Sequence, residues 1–145
     1  GMGFVEEQPI ARLLREAPIN SFLEGTAAMM GLDFVRSVRS NPEAREALLA
    51  EIHAGASEDN RFKSFAASLA EEIDRADNDL EPHARRLMSK AAVCLQASLL
   101  HRHAPTEVAD LFVASRMDRD GSVEFGTLPS EGSVLTRIVE RAMPA

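Results

Sequence analysis

The chain contains no Trp and no Tyr, and its seven Phe are the whole of its aromatic content. A core without large amphipathic rings has to be built from Leu, Ala, Val, Ile and Met, side chains of which Ala, Leu and Met lose little rotamer freedom in a helix. Cysteine is nearly absent as well. The single Cys94 excludes an internal disulfide framework and suits a reducing compartment. Nowhere does an apolar run approach the ~20 residues that cross a bilayer, so no membrane partner is expected. The first residues carry Glu6 and Glu7 where a secretory signal would place positive charge, and a cytoplasmic location is the expectation. Gly1 ahead of Met2 reads as an expression scar. Positive charge is also scarce: 16 Lys plus Arg stand against 23 Asp plus Glu, a net of −7. That balance argues against nucleic acid as a partner, because such binding draws on cations that neutralise phosphates.

What remains is an ordinary globular composition, 45% hydrophobic and 27% charged over 145 residues, enough for a single domain with one core. No alternating strand pattern persists, whereas helical spacing recurs along the chain. A turn or extended segment over 3–9 precedes a short helix over 10–16, stopped by Pro18. A second helix is expected over 21–40, since Ser21 and Glu24 have capping-box spacing. Its apolar residues (Phe22, Leu23, Ala27, Met29, Met30, Leu32, Phe34, Val35, Val38) fall on more than one face. This marks the helix as central to the bundle. Asn41-Pro42 opens a helix over 42–54 that Gly55 ends. Residues 58–78 carry a clean stripe of Phe62, Phe65, Ala66, Leu69, Ala70 and Ile73. Residues 82–102 follow with Leu87, Met88, Ala91, Ala92, Leu95 and Leu99, then 105–117 with Val108, Leu111 and Phe112. The segment 118–130, with Gly121, Gly126 and Pro129, reads as a surface loop. A last short helix is marked by Val134, Leu135, Ile138 and Val139. The expected fold class is therefore all-α, a bundle of about five to six helices in one domain.

The first forty residues are more specific. Gly3-Phe4, Pro9, Arg15-Glu16-Ala17 and Glu24-Gly25-Thr26 occur in that order. The pattern resembles the acyl-CoA dehydrogenase family near its C-terminal end, where a Gly-Gly-x-Gly-aromatic turn leads to an Arg-acid-Ala step and a Glu-Gly-Thr or Glu-Gly-Ser triplet. The segments Val5-Glu6-Glu7 and Arg15 to Ser21 look closest to the DNA-alkylation (adaptive) response branch. Leu23 stands where that branch has Trp, and Ala28 where it has an amide-bearing residue. The resemblance covers residues 3–39.

It implies the C-terminal helical domain of an FAD-dependent oxidoreductase acting on a CH–CH bond. Glu24 would be the base that takes the proton alpha to an acyl-CoA-like thioester while hydride leaves the beta carbon for the flavin. A carboxylate in an apolar pocket suits that task, since desolvation raises its pKa toward the working pH. Gly3, Gly25 and Thr26 would lie against the cofactor, with Gly25 allowing close approach and Thr26 donating a hydrogen bond. The resemblance does not extend to the family's flavin-binding and substrate-binding domains, so catalysis is expected only in a parent that has them. The alternative is a stand-alone helical interaction or oligomerisation module that has lost catalysis, as a homo-oligomer or paired with the missing domains. DNA binding, a property of the adaptive-response branch, is not expected to carry over. Residues 41–145 hold 12 Lys plus Arg against 18 Asp plus Glu, a net of −6.

Other groupings have simpler explanations. Asp118, Asp120, Gly121, Ser122 and Glu124 hint at a calcium loop, but the glycine and Pro129 fall at the wrong positions for one. His101 and His103, two apart, point to different helix faces, so they are expected as a surface pair near a helix C-terminus rather than a metal site. Cys94 is expected to behave as a small buried hydrophobe. Arg85, Arg86 and Lys90 are expected to pair with the acidic residues Glu71, Glu72, Asp74, Asp77, Asp79 and Glu81.

Overall fold

A computed structural model describes residues 1–23, 25–55, 59–75, 80–117 and 132–143. These residues form an all-α structure with no strand among them. Seven α-helices are present in the described residues: α1 (Pro9–Glu16), α2 (Ala27–Ser40), α3 (Pro42–Ala54), α4 (Asn60–Asp74), α5 (Ala84–His103), α6 (Thr106–Arg116) and α7 (Gly132–Ala142). Three short 3-10 turns, Met2–Phe4, Ala17–Ser21 and Glu81–His83, lie between or before them. The all-α bundle matches the expectation. The helix count passes five or six because short α1 and α7 each close a full set of turns.

The helix starts follow local chemistry. Asn41 Oδ1 accepts from Ala44 N–H at 3.0 Å ahead of Pro42 in the first turn of α3, and Asp59 Oδ1 accepts from Arg61 N–H at 2.8 Å to start α4. Each satisfies one of the N–H groups a helix start leaves open.

The core sits around α5, which packs against α2, α3, α4 and α6. Its inward stripe is Ala84, Leu87, Ala91, Cys94 and Ser98, all buried. Four of these five side chains are small, so neighbouring helices come close. A Cβ on Gly31 of α2 would lie 2.9 Å from Arg85 N. One on Gly55, at the end of α3, would lie 2.6 Å from Ser98 O and nearer still to Ser98 Cα and Oγ. Phe62, Leu69, Ile52 and Val113 close the core from α4, α3 and α6. Each such burial contributes about 1.5–3 kcal/mol.

Two expectations need correcting. The second helix begins at Ala27, not at residue 21. Gly25 adopts φ +127°, which breaks the helical path, and Thr26 rather than Ser21 becomes the cap. The Ser21 hydroxyl instead donates to Pro18 O at 2.7 Å inside the 3-10 turn. Nor is this helix the centre of the bundle. Val35 and Val38 are buried against α5, but Phe22, Leu23, Met29, Met30 and Leu32 are all exposed. A helix apolar on several faces has here found a partner for only one of them.

Candidate functional site

The expected site residues cluster, in sequence, around the approach to α2. Glu24 itself lies outside the described residues. On its C-terminal side the chain makes a sharp corner. Gly25 N–H donates to Phe22 O at 3.1 Å, and Gly25 turns the backbone at φ +127°. L-residues with side chains rarely hold that conformation, so the corner depends on glycine. Thr26 follows in extended conformation, and its Oγ1 accepts from Met29 N–H at 3.4 Å to cap α2. A hydroxyl accepting in this way can still donate to a further acceptor. Gly25 and Thr26 are thus brought together at one helix start. Gly3 is held elsewhere. It sits half-buried in the Met2–Phe4 turn, and the three atoms nearest to a Cβ there all belong to Leu14 of α1.

A groove of about 750 Å³ runs along α2, with a lining that begins at Met29. Met29, Met30, Leu32 and Val35 supply its apolar lining, with Asp33, Arg36, Arg39, Ser40 and Glu81 beside them. The volume falls within the ~300–1,000 Å³ typical of small-molecule clefts. Arg36 forms an ion pair with Asp33 on the same helix. The groove residues on α2 were visible in the sequence only as surplus apolar positions. Glu81 reaches them through the turn before α5, a juxtaposition with no local signal.

The remaining polar groupings are structural. Glu72 on α4 accepts from Arg86 and, at 2.6 Å, from Lys90 Nζ on α5. The hydrogen bond from Arg86, opposed in part by burial and helped by Lys90, holds the Glu72 carboxyl down at about 2. Lys90 also stands 5.1 Å over the Phe65 ring. The expected pairing of Arg86 and Lys90 with acidic residues is therefore present. Asp74 departs from it and pairs with Arg45 of α3. Asp77 and Asp79 lie outside the described residues, as does the 118–130 segment with its calcium-like acidic positions.

Cys94 is fully buried, and burial pushes its thiol up to about 12. It is the small buried hydrophobe expected. The histidine pair is not as expected: His103 is exposed, but His101 is half-buried, edge-on to Phe62 at 5.5 Å. Its Nε2 is buried with no hydrogen-bond partner among the described residues. The last turn of α5 leans on α4 there instead of projecting into water. Among the described residues no three His, Cys, Asp or Glu side chains are grouped to hold a metal ion, and no helix is long and apolar enough to cross a membrane.

Compared with known proteins, the chain matches no protein-family profile, no curated protein and no solved structure.

Proposed function

We propose that this chain is the C-terminal helical domain of an acyl-CoA dehydrogenase-like flavoprotein, with Glu24 as the base that works on an acyl-CoA-like thioester in a parent that also binds FAD. The observation that carries this reading is the Gly25 corner. The residue after Glu24 occupies a left-handed conformation that favours glycine, and the next residue caps a helix. The resemblance gives Gly25 and Thr26 a place against a cofactor, and a helix start of this kind favours electron-rich partners. Flavin supplies the hydride acceptor when bound, and the residues of this chain would orient the thioester and take its proton.

The test is spectroscopic first. Titrating FAD into the purified chain, alone and together with the flavin-binding domains of such a parent, should change the flavin absorbance only in the second case. In that assembly Glu24→Gln should abolish dehydrogenation and leave flavin bound. Turnover surviving the substitution would remove Glu24 from the role of base.

A second reading, a helical interaction or oligomerisation module without catalysis, has its own observation. The segment from Met2 to Leu23 exposes Met2, Phe4, Ile10, Leu13, Leu14, Ile19, Phe22 and Leu23, and only Ala11 within it is buried. An apolar surface of that extent marks a contact site more often than an idle face.

A further inference from the structure

The shape and charge of the exposed N-terminal face select its partner, a step that rests on the interaction-module reading. In α1 the residues Ile10, Leu13 and Leu14 stand three and four apart and so share one face. Leu14 packs on Gly3, which lays the Met2–Phe4 turn alongside that face and leaves Phe4 85% exposed at its edge. The 3-10 turn after α1 continues the surface with Ile19, and Phe22 follows. From the exposed fractions of these side chains the apolar face amounts to roughly 700 Å², close to the ~800 Å² that each partner contributes to a standard interface.

Charge narrows the choice of partner for such a face. Over residues 1–23 the charged side chains are Glu6, Glu7, Arg12, Arg15 and Glu16, and four of them are paired internally. Arg12 binds Glu16 at 2.8 Å, and Arg15 binds Glu6 at 2.6 Å. The surface therefore presents apolar groups framed by two compensated pairs, with Glu7 outside them. A partner of opposite charge has only Glu7 to complement there. An identical surface meets it with one such carboxylate per copy, a small repulsion even though the chain as a whole carries −7. Two copies facing each other through the same patch also form a closed, two-fold arrangement, the commonest kind of oligomer.

We infer that the face built by the Met2–Phe4 turn, α1 and the turn after it is a self-association surface whose occupant is a second copy of this chain. The Gly25–Thr26 corner and the α2 groove are not part of it.

The experiment is light scattering on size-exclusion peaks across a concentration series, with Leu13→Glu and Phe4→Ser as variants. Leu13 is 59% exposed and Phe4 more so, so both variants should keep the wild-type helical circular dichroism. The wild type should run at twice the 15.8 kDa chain mass. Leu13→Glu should weaken the dimer about 100-fold, because a carboxylate cannot be carried into an apolar interface unpaired, and Phe4→Ser should weaken it less. A dimer indifferent to both substitutions overturns the proposal, and so does a wild-type monomer. In the monomer case an apolar fluorescent dye separates the two levels of the claim. Dye binding lost in Leu13→Glu would keep the face as a contact site and reject only the second copy as its occupant. Dye binding unchanged in the variant would reject the contact site too.

Discussion

Replacing Gly55 by Ala tests how closely α3 and α5 approach. Gly55 has φ −90° and ψ 15°, a conformation open to any L-residue. On backbone grounds alone the substitution should stabilise by about 0.4–1 kcal/mol, since Ala loses less freedom on folding. The packing predicts the opposite sign. The new methyl would sit 2.6 Å from Ser98 O and closer to Ser98 Cα and Oγ. Two of those three atoms are backbone of the central helix, so no side-chain rotation relieves the overlap. The end of α3 has to move away from α5, and forced overpacking of this kind costs about 1–3 kcal/mol. The movement also pulls on a second contact. The buried Ser98 hydroxyl donates to Glu51 O at 2.7 Å, a carbonyl in the last turn of α3, where Gly55 N–H bonds Ile52 O instead. Stranding that carbonyl adds about 1–2 kcal/mol. The expected total is about 2–4 kcal/mol, a large share of the ~5–15 kcal/mol that holds a domain folded. Urea unfolding followed by circular dichroism should show the midpoint falling by roughly 1–2 M. Ser98→Ala alone should cost about 1–2 kcal/mol, and the double variant less than the sum, because both changes act at one contact. A Gly55→Ala midpoint at or above the wild type would refute the close approach of α3 to α5.

Two further outcomes are expected. Glu72 is depressed from 4.5 to about 2 in the folded state, so its contribution is complete above about 4.5 and is lost as pH falls through about 2. The shift corresponds to about 3 kcal/mol at most; because Arg86 is 57% exposed and screened by solvent, about 1–2 kcal/mol is the expected value. Glu72→Gln should lower stability by that amount at neutral pH and flatten the loss of stability between about 4.5 and 2, measured by denaturant titrations at stepped pH. An unchanged acid limb would mean that the Arg86–Glu72–Lys90 cluster contributes nothing. Cys94, fully buried with its thiol raised to about 12, should react with a thiol reagent only on unfolding, with native labelling slower by several orders of magnitude. Rapid native labelling, read by absorbance or mass, would contradict the placement of Cys94 inside the α5 stripe.

The sequence by itself determined the helices. Periodic Leu, Ala and Phe with Asn41-Pro42, Asp59 and Pro105 between them leave a helical path as the local choice, and Phe62, Ala66, Leu69 and Ile73 of α4 are buried as their spacing requires. The Glu72 pairing was legible too, because opposite charges on adjoining amphipathic helices have few other places to go. The glycine after Glu24 was legible as a residue type, but not the +127° turn that displaces the start of α2 from Ser21 to Thr26. Ser21 and Thr26 are both residue types that cap helices, and only the backbone path chooses between the two. The tertiary structure alone decided which apolar faces are covered. α5 became the centre because its small residues let four helices approach it, whereas α1 and the outer face of α2 kept their apolar side chains in solvent. Periodicity reports that a helix has an apolar face; which neighbour covers that face depends on contacts between residues far apart in the chain.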